Sequence, residues 1–378
     1  LSRRRRVYLD HNATAPTRPE AVAAMVEALR DPANASSVHG FGREARRRLE
    51  AARRRLAEQV NADPAGIVFT SGGTEANNLA LHGVGGPTLV SAIEHASVLD
   101  PVPQAERVPV GEDGVVDLPS LERKLMAGRP RLVSVMLANN ETGVVQPVSE
   151  VAELAHRHGA LLHVDAAQAL GRMPVDMCTT AADLMTLSAH KMGGPPGVGA
   201  LAIRPDITLL PRQFGGAQEG RRRGGTENLP AILGWVAALD AHQPDEPVRM
   251  RSLRDALERA VRVHHPSVTI LGRDSFRLPN TTCLLAPGLD SSTQLMVLDL
   301  AGVAVSSGSA CSSGKVGPSH VLKAMGLGDT MARCAIRISL GWNSTEDDVD
   351  SFVAAWCSLV DRKRHVAHDL ASASAATT

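Results

Sequence analysis

The chain has 378 residues, with 40 basic and 40 acidic side chains, 43% hydrophobic residues and 2% aromatic ones. Balanced charge gives no electrostatic argument for binding nucleic acid or a membrane, so few aromatics supply no base-stacking platform, and no run reaches the ~18 apolar residues of a membrane span. Five cysteines without a CxxC pair fit neither a disulfide framework nor a zinc site, so the expectation is a cytoplasmic protein that holds no metal.

The basic residues Arg3 to Arg6 lead straight into a short strand at 7–10, with no apolar signal-peptide core between them. A turn-rich stretch, His11-Asn12-Ala13-Thr14-Ala15-Pro16, then enters a helix over 19–29. The next helix, 42–60, carries two Arg-Arg-Arg triplets; the interleaved Glu44, Glu50 and Glu58 favour a solvated helix face over a nucleic-acid patch. A buried strand at 67–70 runs into Ser71-Gly72-Gly73-Thr74-Glu75-Ala76-Asn77-Asn78, the turn and first residues of a helix. That glycine pair reads either as a plain capped helix or as a phosphate cradle, in which free N–H groups and the helix dipole meet an anion.

From there strands and helices alternate. Strands at 88–92, 132–137 and 161–164 end in turn at Glu94-His95, Asn139-Asn140-Glu141-Thr142-Gly143 and Asp165-Ala166-Ala167-Gln168, and a short apolar run from Asp183 reads as a further strand that ends in Ser188-Ala189-His190 and delivers Lys191. A glycine- and proline-rich loop follows Lys191, and the next strand is 200–203. This order implies a mostly parallel sheet with helices on both faces, and in such sheets ligands gather at the carboxyl ends of the strands. Gly73, His95, Asn140, Asp165 and Lys191 would all lie there. After a glycine- and arginine-rich loop ending Gly224-Gly225-Thr226 and an apolar helix at 229–241, Gln243-Pro244-Asp245-Glu246-Pro247 reads as the domain linker. Beyond it helices at 248–263, 291–300, 319–325 and 345–364 and strands at 268–271, 280–285 and 335–340 make a smaller α+β unit, with Val303-Ala304-Val305 leading into a serine-rich run. The division expected is 15–246 for the large domain, 1–14 with 247–366 for the small one, and a disordered tail at 367–378.

A lysine delivered at a strand end among apolar neighbours is desolvated, which favours the neutral, nucleophilic amine. A phosphate cradle, such a lysine and a carboxylate one strand away are three handles that pyridoxal 5′-phosphate needs: Lys191 for a Schiff base, Asp165 to keep the pyridine nitrogen protonated. Read alone, Asp165 also serves as a helix cap and Lys191 as a loop lysine. Cys311 lies in a run of Ser, Gly and Ala that cannot bury it and leaves the segment mobile and the thiol able to react. Cys178, Cys283, Cys334 and Cys357 read as packing residues.

Taken together, Tyr8-Leu9-Asp10 with Ala13-Thr14, Phe69 to Asn78, Glu94-His95, Asn139 to Gly143, His163-Val164-Asp165 with Gln168, Ser188 to Lys191, Gly224-Gly225-Thr226, Ser306 to Ser313, Ile336-Arg337 and Ser339-Leu340-Gly341 resemble the pyridoxal-phosphate-dependent cysteine desulfurases. The likeness covers nearly the whole chain and is greatest to the group that supplies sulfur for iron–sulfur cluster assembly and nitrogenase maturation. It implies a fold-type I α/β transferase with a seven-stranded, mostly parallel sheet in the large domain, working as a homodimer. By that resemblance Lys191, Cys311 and His95 are catalytic. Gly73, Thr74, Ser188 and His190 hold the phosphate, joined by Thr226 from the second subunit. Asp165 meets the pyridine nitrogen, Gln168 the ring hydroxyl, and His95 the ring face. Asn140 also lines the cofactor and, with Arg337, holds the substrate L-cysteine, Arg337 by a bidentate grip on its carboxylate. Cys311 takes the sulfur as a persulfide for an acceptor protein. Two departures stand out: Asn34 is followed by Ala35 where the family has proline, and the C-terminal end that docks a scaffold in family members is short here.

Overall fold

The computed structural model describes residues 6–32, 34–307 and 317–375. The expected mobile loop around Cys311 lies outside the described residues.

The first strand, β1 (Val7–Tyr8), is short. The large sheet follows as β2 (Ile67–Thr70), β3 (Thr88–Ser91), β4 (Glu106–Val108), β5 (Leu132–Met136), β6 (Leu161–Asp165), β7 (Leu184–Ser188) and β8 (Gly199–Ile203), in spatial order β2-β8-β7-β6-β5-β3-β4. β8 runs antiparallel to both neighbours and the other pairs are parallel. Both faces are covered, which is why β2, β5, β7 and β8 are near-continuous apolar runs. Alternate residues point to opposite layers: Val133 and Val135 pack with Leu49, Leu56 and Trp235 on one side, while Leu132, Val90 and Leu184 pack with Ala76, Leu79 and Ala80 of the helix Gly73–Val84 on the other.

The seventh strand, β4, and the helix Leu118–Gly128 have no counterpart in the sequence reading. β4 is a three-residue edge strand, Glu-Arg-Val, partly solvent-exposed, too short to show a period. The helix does carry a local signal, Asp117 capping Ser120 N with proline in the first turn.

The remaining strands are β9 (Thr269–Leu271), β10 (Thr281–Leu285), β11 (Val303–Ala304) and β12 (Ala335–Ser339). β12-β10-β9 form an antiparallel sheet, and β1 pairs in parallel with β11. Val7 and Leu9 share a core with Leu253, Leu257, Ile336, Ile338, Phe352 and Trp356. The last helix, Glu346–Ala375, continues past the end expected at Arg364 and into the stretch read as disordered.

One expectation about the arginine triplets is corrected. Arg53 is buried and grips Glu219 with two hydrogen bonds of 2.7 and 2.8 Å, donates to Ile67 O at 2.7 Å, and lies over the Phe69 ring at 4.9 Å. It stands four residues after Leu49 and three before Leu56, on the inward stripe of the helix Gly40–Gln59. Helical spacing alone therefore marked it as different from its neighbours.

Candidate active site

Nine of the expected residues line one cavity of about 250 Å³: Gly73, Thr74, His95, Asn140, Asp165, Gln168, Ser188, His190 and Lys191. They come from the carboxyl ends of β2, β3, β5, β6 and β7, because parallel pairing puts those ends on one edge of the sheet.

At the end of β2 the chain turns at Gly72 and the helix Gly73–Val84 begins without a side-chain cap, so its first N–H groups remain for a ligand. Gly199 makes this possible: a Cβ there would come within 2.8 Å of Gly72 Cα, so the loop settles onto β8 only because that side chain is missing.

Asp165, at the end of β6, is buried. Its Oδ1 accepts from Ala167 N at 3.0 Å and its Oδ2 from Asn77 Nδ2 at 2.8 Å. Asn77 was not singled out in the sequence, although it follows Gly73 by four residues and so shares its helix face. The same nitrogen reaches Ser97 Oγ at 2.8 Å, and Ser97 Oγ lies 2.8 Å from His95 Nδ1. His95 Nδ1 also accepts Ser97 N at 3.0 Å, capping the short helix Ala96–Leu99. With that nitrogen occupied as an acceptor, the neutral ring carries its proton on Nε2. Burial pulls the His95 pKa down against the opposing charge of Asp165, and Lys191 and His320 lower it further. Behind His95, Glu94 is fully buried; burial and the charge of Asp165 push its pKa well up, which favours the neutral acid, and Oε1 accepts Met136 N at 2.7 Å.

β7 ends in the short turn Ala189–Lys191. Lys191 Nζ donates to Asn12 O at 2.5 Å and Ala13 O at 2.9 Å. His190 Nδ1 lies 3.1 Å from Thr14 Oγ1, and burial, Lys191 and Arg172 bring its pKa down to about 4, leaving it neutral. Gly193 turns the chain away at φ +94, where a Cβ would meet Arg18 Cγ at 2.8 Å.

Arg337 is 1% exposed and stands behind Asn140, outside the residues that line the cavity. Its Nη2 donates to Asp10 Oδ1 at 2.6 Å and its Nη1 to Asn140 O at 3.1 Å, while Nε has no partner among the described residues. The small neighbours Ala335 and Ser339 are buried alongside it, so the open space expected beside Arg337 is taken up by Asp10 and the Asn140 backbone. Thr226 is exposed on its own chain, away from this cavity. Among the other cysteines Cys283 and Cys334 are buried and Cys357 is half-buried, but Cys178 is exposed, against its reading as a packing residue.

The class-V aminotransferase family matches residues 7–352. The chain belongs to that family. It is 42% identical over 375 residues to a cysteine desulfurase of Cereibacter sphaeroides, covering 95% of this chain and 97% of the relative. It is 38% identical to an IscS-like cysteine desulfurase of Mycobacterium tuberculosis, over 97% of this chain and 99% of the other. Among solved structures it resembles a NifS-like protein from Rickettsia africae at 34% identity with a TM-score of 0.88, over 94% of this chain and all of that one. The architecture is thus the fold-type I α/β fold of this family, and the antiparallel β8 is its one break in an otherwise parallel sheet.

Proposed function

We propose that this chain is a cysteine desulfurase that converts L-cysteine to L-alanine and leaves the sulfur as a persulfide on Cys311 for an acceptor protein. The observation that carries the reading is a single cavity lined by Lys191, Asp165, His95 and the open start of a helix. Those donors fit pyridoxal 5′-phosphate: Gly73, Thr74, Ser188 and His190 suit its phosphate, Asp165 its ring nitrogen, Gln168 its ring oxygen and Lys191 its aldehyde. When bound, that cofactor supplies an electron-withdrawing ring for the substrate's α-carbon.

The chain's own residues do the rest. Asn77 and Ala167 N hold the Asp165 carboxylate in one orientation. His95 presents its Nε2 proton at the cavity wall, and Lys191 moves the substrate's α-proton. Asn140 and Arg337 hold the amino acid, with Arg337 Nε, which has no partner among the described residues, offered to its carboxylate. Thr226 completes the phosphate site of the second subunit in a cytoplasmic homodimer. The Cys311 thiolate then attacks the substrate sulfur: the Cβ–S bond breaks, an S–S bond forms, and the β-carbon is protonated to the methyl group of alanine. The carbon is reduced as the sulfur is oxidised, so no outside oxidant is needed.

The test is alanine release from cysteine by the cofactor-loaded protein, with a mass gain of one sulfur mapped to Cys311. Cys311→Ser should keep the cofactor absorbance and form no persulfide. Alanine and sulfide produced at the normal rate by that variant would overturn the reading.

A further inference from the structure

Arg172 follows Gln168 by four residues in the turns after β6. Gly171 between them, at φ +77, lies so close to Met192 that a Cβ would approach Met192 Cβ at 2.9 Å; this contact delivers Arg172 beneath Lys191. The Arg172 side chain is 4% exposed. Its Nη1 donates to Gln168 O at 3.1 Å and to Gln168 Oε1, and its Nη2 donates to His11 O and Lys191 O, each at 3.0 Å. Among the described residues no carboxylate pairs with it. Burial, with the charge of Arg337, lowers its pKa to about 9, which still leaves it a cation at neutral pH.

A guanidinium can only donate. The Gln168 amide beside it must therefore turn its oxygen to Arg172 and its nitrogen away. One amide hydrogen reaches Asn12 O at 3.0 Å, the same oxygen that accepts Lys191 Nζ at 2.5 Å. The other is left for the cavity that Gln168 lines. An amide flipped end for end would set oxygen against Asn12 O and present an acceptor to the cavity.

We propose that Arg172 is a positioning residue that fixes the polarity of the Gln168 amide, so that an N–H donor faces the cofactor's ring oxygen beside Lys191. The inference rests on the cofactor reading given above and adds a residue that reaches the cofactor only through another.

The probe is 4′-deoxypyridoxine 5′-phosphate, which keeps the ring oxygen and phosphate but has no aldehyde to react with Lys191. Its affinity for the full chain stripped of cofactor is measured by calorimetry. Arg172→Met should weaken binding about tenfold, the loss of one fixed hydrogen bond. Gln168→Ala should weaken it by a similar factor, and the double variant by no more than either. Arg172→Lys, which keeps a donor, should restore part of the loss. Unchanged affinity in Arg172→Met, or factors that multiply in the double variant, would overturn the proposal, since an arginine that only ties the fold together has no reason to act through Gln168. Should Arg172→Met not fold, Gln168→Glu decides: it gives the buried guanidinium a carboxylate, so the cofactor-free protein should melt higher while probe affinity falls. A lower melting temperature would count against the proposal. Failure of the unsubstituted chain to bind the probe would sink the cofactor reading instead.

Discussion

Asn77→Ala separates what a buried amide does for the fold from what it does for the site. The Asn77 side chain is buried, with one charge-assisted hydrogen bond to Asp165 and one neutral bond to Ser97 Oγ, both 2.8 Å, while its Oδ1 has no partner among the described residues. Removing the side chain forfeits ~1.5–3 kcal/mol for the charged bond and ~1 kcal/mol for the neutral one, and relieves ~1–3 kcal/mol already spent on the unpaired oxygen. The two sides nearly cancel, so cofactor-free protein should lose only about 1 kcal/mol in urea unfolding. Turnover has no such compensation. With one of its two donors gone, Asp165 is free to rotate, and a lost ~1.5–3 kcal/mol of orientation corresponds to roughly a 10- to 100-fold fall in kcat. The assay is alanine formation at saturating cysteine beside equilibrium unfolding of the same preparation. A kcat within twofold of the unsubstituted chain would refute the argument, as would a stability loss large enough to explain the fall.

Three further outcomes are expected. Arg337→Lys keeps the charge but removes the Nε–H offered to the substrate carboxylate and the Nη bonds to Asp10 and Asn140 O that aim it, so KM for cysteine should rise about tenfold or more with the cofactor spectrum unchanged; an unaltered KM would remove Arg337 from substrate binding. Arg53→Met leaves the Glu219 carboxylate, 0% exposed, without its cation and should cost ~3–5 kcal/mol in urea unfolding, most of it recovered when Glu219→Gln is added; a loss below ~1 kcal/mol would contradict the burial argument. Burial holds His163 and His190 at about 4 and His11 at about 3, below the ordinary 6.5, so the folded chain binds fewer protons than the unfolded one in this window. Their contribution to stability is complete above pH 6.5 and is lost as pH falls toward 4, while the raised pKa of Glu94 opposes the trend. His163→Gln should reduce the slope of stability against pH by about 1.4 kcal/mol per pH unit between 4 and 6.5; an unchanged slope would show that His163 titrates normally.

Strand identity and the polar residues at strand ends were legible in the sequence because both are local signals. A strand covered on both faces must be apolar throughout, and the residue that ends it must turn the chain, so 67–70 was placed to the residue and β3, β5, β6 and β8 to within one. Parallel alternation then required Gly73, His95, Asn140, Asp165 and Lys191 to share an edge, as the cavity does. The family motifs added roles that no period could supply. Only the tertiary structure decided the antiparallel insertion of β8 between β2 and β7, the Asn77–Ser97–His95 chain, the ion pair that joins Arg53 to Glu219 across 166 residues, and the hold of Arg172 on Gln168, His11 and Lys191. Each depends on which side chain from a distant segment arrives opposite a buried polar group. A local pattern records that a residue faces inward, as the spacing of Arg53 from Leu49 and Leu56 did, but a hydrogen bond needs the partner's position, and packing alone sets that.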